Sequence, residues 1–425
     1  MRLQRLWLAD FRGYESAELE PAPGLTAIVG ANGQGKSNLL EAVAWLATLS
    51  SFRGAPDEAL VRVGATEAVV RAEIVGNGPA APAAPAPPVA APAALGPPIA
   101  APAVSPPDAP SADTPQGATR PPVHVVPDEP AGRLVLLEAL IRANGRDQVL
   151  VNRQKLRRAR DLLGSVRVTV FSPDDLAMVK GGPGERRRLL DDALVALALK
   201  HDALRSDLDR VLRQRGTLLR QAGGRATPEV TATLDVWDAK LAELGERTGR
   251  ARAALVDRLR PLASAAYDQV AATGANVTLT YDPAWRRTDG GLVAALEAAR
   301  GEDLRRGVSS VGPHRDELEL AVDGLPARTH ASQGEQRSLA LALRLATHAV
   351  ITDVTGSSPI LLLDDVFSEL DADRSQALLT HLPPGQALLT TAGSLPEGAE
   401  PGLVVRVVGG RLVEGGSGEV GAGAA

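Results

Sequence analysis

The sequence predicts an α/β fold in which a mixed-β lobe and a phosphate-loop lobe form one head, interrupted by an inserted helical arm. Three observations predict it. Gly30-Ala31-Asn32-Gly33-Gln34-Gly35-Lys36-Ser37 matches the pattern G-x-x-x-x-G-K-[ST] at every fixed position. Far downstream, the apolar run Ile360-Leu361-Leu362-Leu363 ends in Asp364-Asp365, as a buried parallel strand with carboxylates at its C-terminal end should. Between the two, residues from Glu185 to Tyr267 carry apolar side chains near helical spacing.

The glycine loop has the context its pattern requires. Leu25-Thr26-Ala27-Ile28-Val29 reads as a buried strand before it and Asn38 to Leu49 as a helix after it. Backbone N–H groups from Gly30 to Gly35, including those of Ala31, Asn32, Gly33 and Gln34, would wrap phosphates, with the positive end of the helix behind them. Lys36 would sit on the β- and γ-phosphates of ATP, and the Ser37 hydroxyl would ligate Mg²⁺.

Residues 1 to 22 read as two strands around Asp10-Phe11-Arg12-Gly13-Tyr14, and a further strand is expected from Glu67 to Val75. From Pro79 to Pro130 the chain is almost all Ala and Pro. Its prolines would break a membrane-spanning helix, so this stretch is expected to be a disordered, partly polyproline-II insertion. Leu134 to Ala139 and Gln148 to Val151 flank Asn144-Gly145 and read as a hairpin. Val166 to Val170 is a strand, and Ser172-Pro173 opens a short helix. Two long helices, Glu185 to Arg220 and Pro228 to about Tyr267, joined at Gly223-Gly224, predict an antiparallel arm; helices of that size reach about 50 to 60 Å. Asn276 to Tyr281 is sheet-like, Leu292 to Ala299 a short helix, and Glu317 to Leu320 a strand. A helix through Leu339 to Val350 follows, Gln386 to Thr391 is a last strand, and the tail after Glu414 should fray. The expected divisions are 1–183 for the first part of the head with its 79–130 insertion, 184–300 for the arm, and 301–425 for the rest of the head.

Composition limits the chemistry. The 425 residues contain no cysteine, which excludes disulfides and thiolate metal sites and agrees with a reducing, cytoplasmic setting. The N-terminus alternates like a strand instead of carrying a signal peptide's apolar run, so export and membrane association are not expected. A net charge of −5 excludes a uniformly basic coat, leaving local patches for any nucleic acid. Only five lysines occur beside abundant Arg, Ala, Gly and Pro, a skew that looks like coding bias.

Asp364 stands where a Walker B aspartate would hold Mg²⁺, and Asp365 where a second carboxylate would orient or deprotonate the attacking water. A purely structural pair there would leave buried charge uncompensated. Ala331-Ser332-Gln333-Gly334-Glu335 opens a helix just before Walker B and resembles the LSGGQ signature of ABC-type ATPases. In that superfamily the signature of one subunit closes on the nucleotide of the other. Ser332 and Gly334 would therefore meet a γ-phosphate in trans, so that ATP joins two heads and hydrolysis parts them. An ordinary Ser N-cap is the bland alternative for this stretch.

The details resemble the RecF family of DNA replication and repair proteins. The matching pieces are Phe11-Arg12-Gly13-Tyr14, Gly30 to Ala42, Ser51-Phe52-Arg53, Phe171 to Leu176, Gly312-Pro313-His314-Arg315-Asp316, Ser332 to Arg337, and Leu362 to Asp371. The resemblance implies an ABC-type, SMC-like ATPase head in a cytoplasmic protein of recombinational repair. It also implies an ATP-dependent homodimer on gapped or junction DNA, work with RecR and RecO in loading RecA, and Arg12 among the nucleotide-contacting residues. The family commonly has Asn where Gly13 stands and Gln where Glu335 stands, and the proline-rich insertion is not a family feature. Asp365 replaces the Glu of transporter ATPases, a shorter reach that suits slow, switch-like hydrolysis. DNA contacts are expected from Arg153, Lys155, Arg157, Arg158 and Arg160, from Arg186-Arg187-Arg188, or from Arg210, Arg213 and Arg215. With 3% aromatics, contact with the phosphate backbone is favoured over base stacking. His314 could serve structure or nucleotide. A transporter ATPase, an SMC or Rad50 relative, and a non-hydrolysing scaffold are the competing readings. The segment between Leu176 and Gly312 is too short for a long coiled coil, and no cysteines exist for a zinc hook.

Overall fold

The computed structural model describes residues 1–76, 132–271 and 273–414; the expected insertion at 79–130 and the glycine-rich tail lie outside the described residues. Strands β1 (Arg2–Phe11), β2 (Tyr14–Leu19) and β3 (Leu25–Val29) lead into helix α1 (Lys36–Thr48). Next come β4 (Glu67–Gly76), β5 (Arg133–Arg142), β6 (Gln148–Val151), β7 (Gln154–Lys155) and β8 (Val168–Phe171). Helices α2 (Leu176–Lys180), α3 (Pro183–Leu197), α4 (Lys200–Ala222) and α5 (Pro228–Ala271) follow. The chain continues through β9 (Val277–Thr280), α6 (Gly291–Arg306), β10 (Glu319–Val322), β11 (Leu325–Pro326), α7 (Ala327–His330) and α8 (Gln333–Thr355). It closes with β12 (Ile360–Asp364), α9 (Ala372–Thr380), β13 (Ala387–Thr391), β14 (Leu403–Val408) and β15 (Arg411–Glu414).

One sheet is antiparallel, in the order β2-β1-β4-β5-β6-β7. The other large sheet runs β15-β14-β3-β13-β12-β8 and is parallel except for β15. Its strands are short and apolar because both faces are covered, and alternate side chains serve different cores. Ile28, Ile360, Leu362 and Leu388 pack with α1 and the antiparallel sheet. Leu361, Leu363 and Leu389 pack with α3, α5 and α8. The loop helix α1 and the signature helix α8 therefore lie on opposite faces of one sheet.

The first arm helix differs from expectation. Glu185 to Arg220 is two helices, broken where Ala198 takes an extended backbone (φ −160°, ψ 131°). No Gly or Pro from Glu185 to Arg215 announces a break; the cause is tertiary. Leu189, Leu190, Ala193 and Leu194 of α3 face the head core, whereas Leu204, Leu208 and Val211 of α4 face Leu241 and Leu244 of α5. One straight helix could not serve both. The 44-residue α5 runs through Pro261, and its far half, from Leu255 to Val270, belongs to the head core.

Candidate nucleotide site and its surroundings

Loop geometry follows from the glycines. Gly30 has φ 154°, and a Cβ there would stand 2.5 Å from the Val407 carbonyl oxygen. Gly35 caps α1 with φ 108° and is backed by Tyr14, whose hydroxyl donates to the Gly35 carbonyl at 3.0 Å. The Gly409 N–H donates to Gln34 Oε1 at 2.6 Å, pinning the loop to the β14–β15 turn. Helix α1 has no side-chain cap and no acidic residue in its first turn, so its positive end faces the loop uncompensated, the arrangement that receives an anion.

Lys36 starts α1, is buried, and donates to the Ala31 carbonyl at 3.0 Å. Burial pulls its pKa down, while the charges of Asp365 and Asp364 oppose the shift. The carboxylate pair stands at the same end of the parallel sheet as the loop. The topology explains it: β13 separates β3 from β12, and Ile28, Thr390 and Asp364 share one row across the three strands. The Thr390 hydroxyl donates to Asp364 Oδ1 at 2.8 Å and accepts the Asp365 N–H at 3.0 Å. Asp365 has left-handed backbone geometry (φ 50°), and its Oδ1 is buried with no hydrogen-bond partner. A buried, unpartnered carboxylate oxygen beside a buried lysine suits a site completed by a ligand. Ser37 follows Lys36 on the first turn of α1. No group of three or more His, Asp or Glu side chains that could hold a metal ion exists among the described residues. Mg²⁺ takes one or two protein oxygens and completes its shell with phosphates and water, and Ser37 and Asp364 are oxygen donors of that kind.

Arg12 is engaged within the chain. It forms a two-pronged pair with buried Glu41 at 2.8 and 2.7 Å and donates to the Ala59 carbonyl at 2.9 Å. The Ser51 hydroxyl donates to Glu41 at 2.5 Å. Three motif pieces quoted above are thus one buckle holding the β1–β2 turn to α1. Ser332 is the N-cap of α8, in a capping box with Glu335, and no hydrogen bond links Ser332 or Gly334 to the loop of the same chain among the described residues. Sequence reading missed Thr390, for which no motif spacing gives a signal, and the backing role of Tyr14.

The basic clusters divide. Arg186 is buried against Glu317 at 2.7 Å, Arg187 donates to the Asp316 carbonyl, and Arg188 faces Asp192. Arg215 is fully buried between Asp238 and Asp303. Arg186 and Arg215 are therefore structural, not surface contacts. Arg210 pairs with Asp207, Arg158 with Asp161 and Arg160 with Asp202, and Arg213 lies in the field of Asp209. Arg153, Lys155 and Arg157 are exposed around β7 and make no ion pair among the described residues. His314 is structural: it contacts the Ser309 carbonyl at 3.0 Å, and burial pushes its pKa down. Asp316 of the same motif accepts from Tyr281 at 2.5 Å and Trp285 at 2.8 Å.

A family model described as an AAA domain matches residues 5–67. The chain is 40% identical over 405 residues to the DNA replication and repair protein RecF of Streptomyces avermitilis, covering 92% of this chain and 93% of that one. The chain belongs to the RecF family of DNA replication and repair proteins. The RecF of Frankia alni is likewise 40% identical, over 92% of this chain and 93% of its own length. A solved structure described as the recombination mediator protein RecF-ATP in the RecFOR pathway has TM-score 0.78 and 25% identity, covering 97% of each chain. The Smc head bound to the C-winged helix domain of ScpA, at 15% identity and TM-score 0.54 over 98% of each chain, shares the fold. The fold is the ABC-type ATPase head common to RecF proteins and SMC heads. No helix among the described residues is long and apolar enough to cross a membrane.

Proposed function

We propose that this RecF-family chain is a slow, ATP-dependent DNA-binding switch of replication and recombinational repair. The observation that carries the reading is the convergence of Lys36 with Asp364 and Asp365 across β3, β13 and β12, beside an uncapped helix terminus. In this reading the loop from Gly30 to Ser37 binds ATP, and Lys36 neutralises its β- and γ-phosphates. Ser37 and Asp364, the latter held by Thr390, supply oxygens to Mg²⁺, which would withdraw charge from the transferring phosphoryl group. Asp365 orients the attacking water and accepts its proton; its short side chain suits a low turnover. Arg12, implied by the family resemblance at the nucleotide, also supports the loop through Glu41.

Since α1 and α8 cover opposite faces of the sheet, Ser332 and Gly334 serve the nucleotide of a second copy, making the ATP-bound form a homodimer. The dimer engages gapped or single-strand/double-strand junction DNA and acts with RecR and RecO to promote RecA loading, in a cytoplasmic setting. Arg153, Lys155 and Arg157 form the phosphate-contacting edge. Size-exclusion with light scattering tests this on wild type and Lys36→Arg, with and without Mg-ATP and gapped DNA. The expected result is a wild-type dimer only with ATP and a monomeric variant; a wild type that ATP never dimerises overturns the reading.

A further inference from the structure

The signature carries a charge problem. Glu335 places its carboxylate on the Ser332 N–H at 2.7 Å, at the helix end that would receive a terminal phosphate. Asp371, the N-cap of α9, adds a second carboxylate nearby. Arg337 is committed to Glu369, contacting both its carbonyl and its carboxylate. An anionic phosphate received there would meet these two carboxylates, and a cation held beside them would offset their charge.

Arg374 stands there. A Cβ on Gly334 would lie 3.0 Å from Arg374 Nη2, 3.2 Å from Cζ and 3.3 Å from Nη1, so the guanidinium lies against the bare backbone of that glycine. It donates to buried Ser338 Oγ at 3.1 Å and pairs with the Asp371 carboxylate. Its side chain is 26% exposed and that of Asp371 52%. The cation is thus anchored from below by Ser338 and restrained from outside by a solvated counterion.

We propose that Arg374 is the cation through which the signature grips the terminal phosphate of the nucleotide bound by the partner subunit, with Asp371 as its counterion until that phosphate arrives. This role rests on the dimeric reading above. It gives Gly334 a reason to be glycine, because a side chain there would crowd the guanidinium. A guanidinium suits this exchange, since its planar fork satisfies a carboxylate or a phosphate in the same geometry.

The test is ATP-driven dimerisation of the full chain, followed by light scattering across a Mg-ATP titration, for wild type, Arg374→Ala, Arg374→Lys and Asp371→Asn. Asparagine keeps the N-cap of α9 but removes the counterion charge. Arg374→Ala should need about tenfold more ATP or more for half-dimerisation, with Arg374→Lys between it and wild type. Asp371→Asn should need no more ATP than wild type, because the counterion competes with the phosphate. A purely structural clamp predicts the opposite, with Asp371→Asn as impaired as Arg374→Ala, and that result overturns the proposal. So does an Arg374→Ala protein that dimerises like a dimerising wild type. A wild type that stays monomeric removes the dimer itself, and Arg374's role with it.

Discussion

Asp365 and Thr390 divide the work at the carboxylate pair. Asp365 has the unpartnered buried oxygen, so Asp365→Asn should keep ATP-driven dimerisation while phosphate release falls about 10²-fold or more; unchanged turnover would remove Asp365 from the reaction. Thr390→Val keeps shape but deletes the hydroxyl that donates to Asp364 and accepts from Asp365. It should cost about 1–3 kcal/mol in denaturant unfolding and lower turnover by freeing Asp364. The places of Lys36 and Ser37 at the start of α1 and of Asp364 and Asp365 at the end of β12 were legible in the sequence because each is tied to a fixed spacing from a strand or helix end. Thr390 was not, since only sheet order brings it between them. Arg12 was placed at the nucleotide by resemblance, and its geometry with Glu41 gives it a bracing role.

At the scale of elements, buried polar contacts hold the helices in place. Arg215 of α4 joins Asp238 of α5 and Asp303 of α6, and all three are buried. Arg215→Leu leaves Asp303 without its cation and should cost about 3–5 kcal/mol, read from the urea midpoint. His348 on α8 contacts Thr169 of β8 at 3.1 Å and Ser358 at 3.0 Å. Burial pulls its pKa down to about 4, below the unfolded value of 6.5. The unfolded chain then binds more protons between those values. Stability is full above about pH 6.5 and is lost as pH falls toward 4, by roughly 3 kcal/mol. Melting temperatures across that range should show the loss in wild type and a flatter profile in His348→Gln. The antiparallel helical hairpin was legible from its spacing and glycines, whereas the break at Ala198 was not, because α3 and α4 answer to different cores.

For the whole molecule, the register of β4 and β5 has a direct consequence. Gly76 pairs with Arg133 at the end of β4 and β5 that the insertion connects, so replacing residues 77–132 by a short Gly-containing turn should preserve ATP-driven dimerisation and change stability by no more than about 1 kcal/mol. Loss of dimerisation would assign the insertion a role. Neutralising Arg153, Lys155 and Arg157 together should flatten the slope of log DNA affinity against log salt by about 2 to 3; an unchanged slope would move the DNA face elsewhere. The sequence by itself determined the glycine loop between strand and helix, the carboxylate-ended strand, the capped helix α8 and the helical hairpin of α4 and α5, because each is a local pattern whose period or cap chemistry acts within a few residues. Only the tertiary structure decided which arginines are structural, that Thr390 links the two aspartates, and that α1 and α8 take opposite faces of one sheet. Those outcomes depend on strand order and on the competition of buried surfaces, and neither is written in the spacing of any single segment.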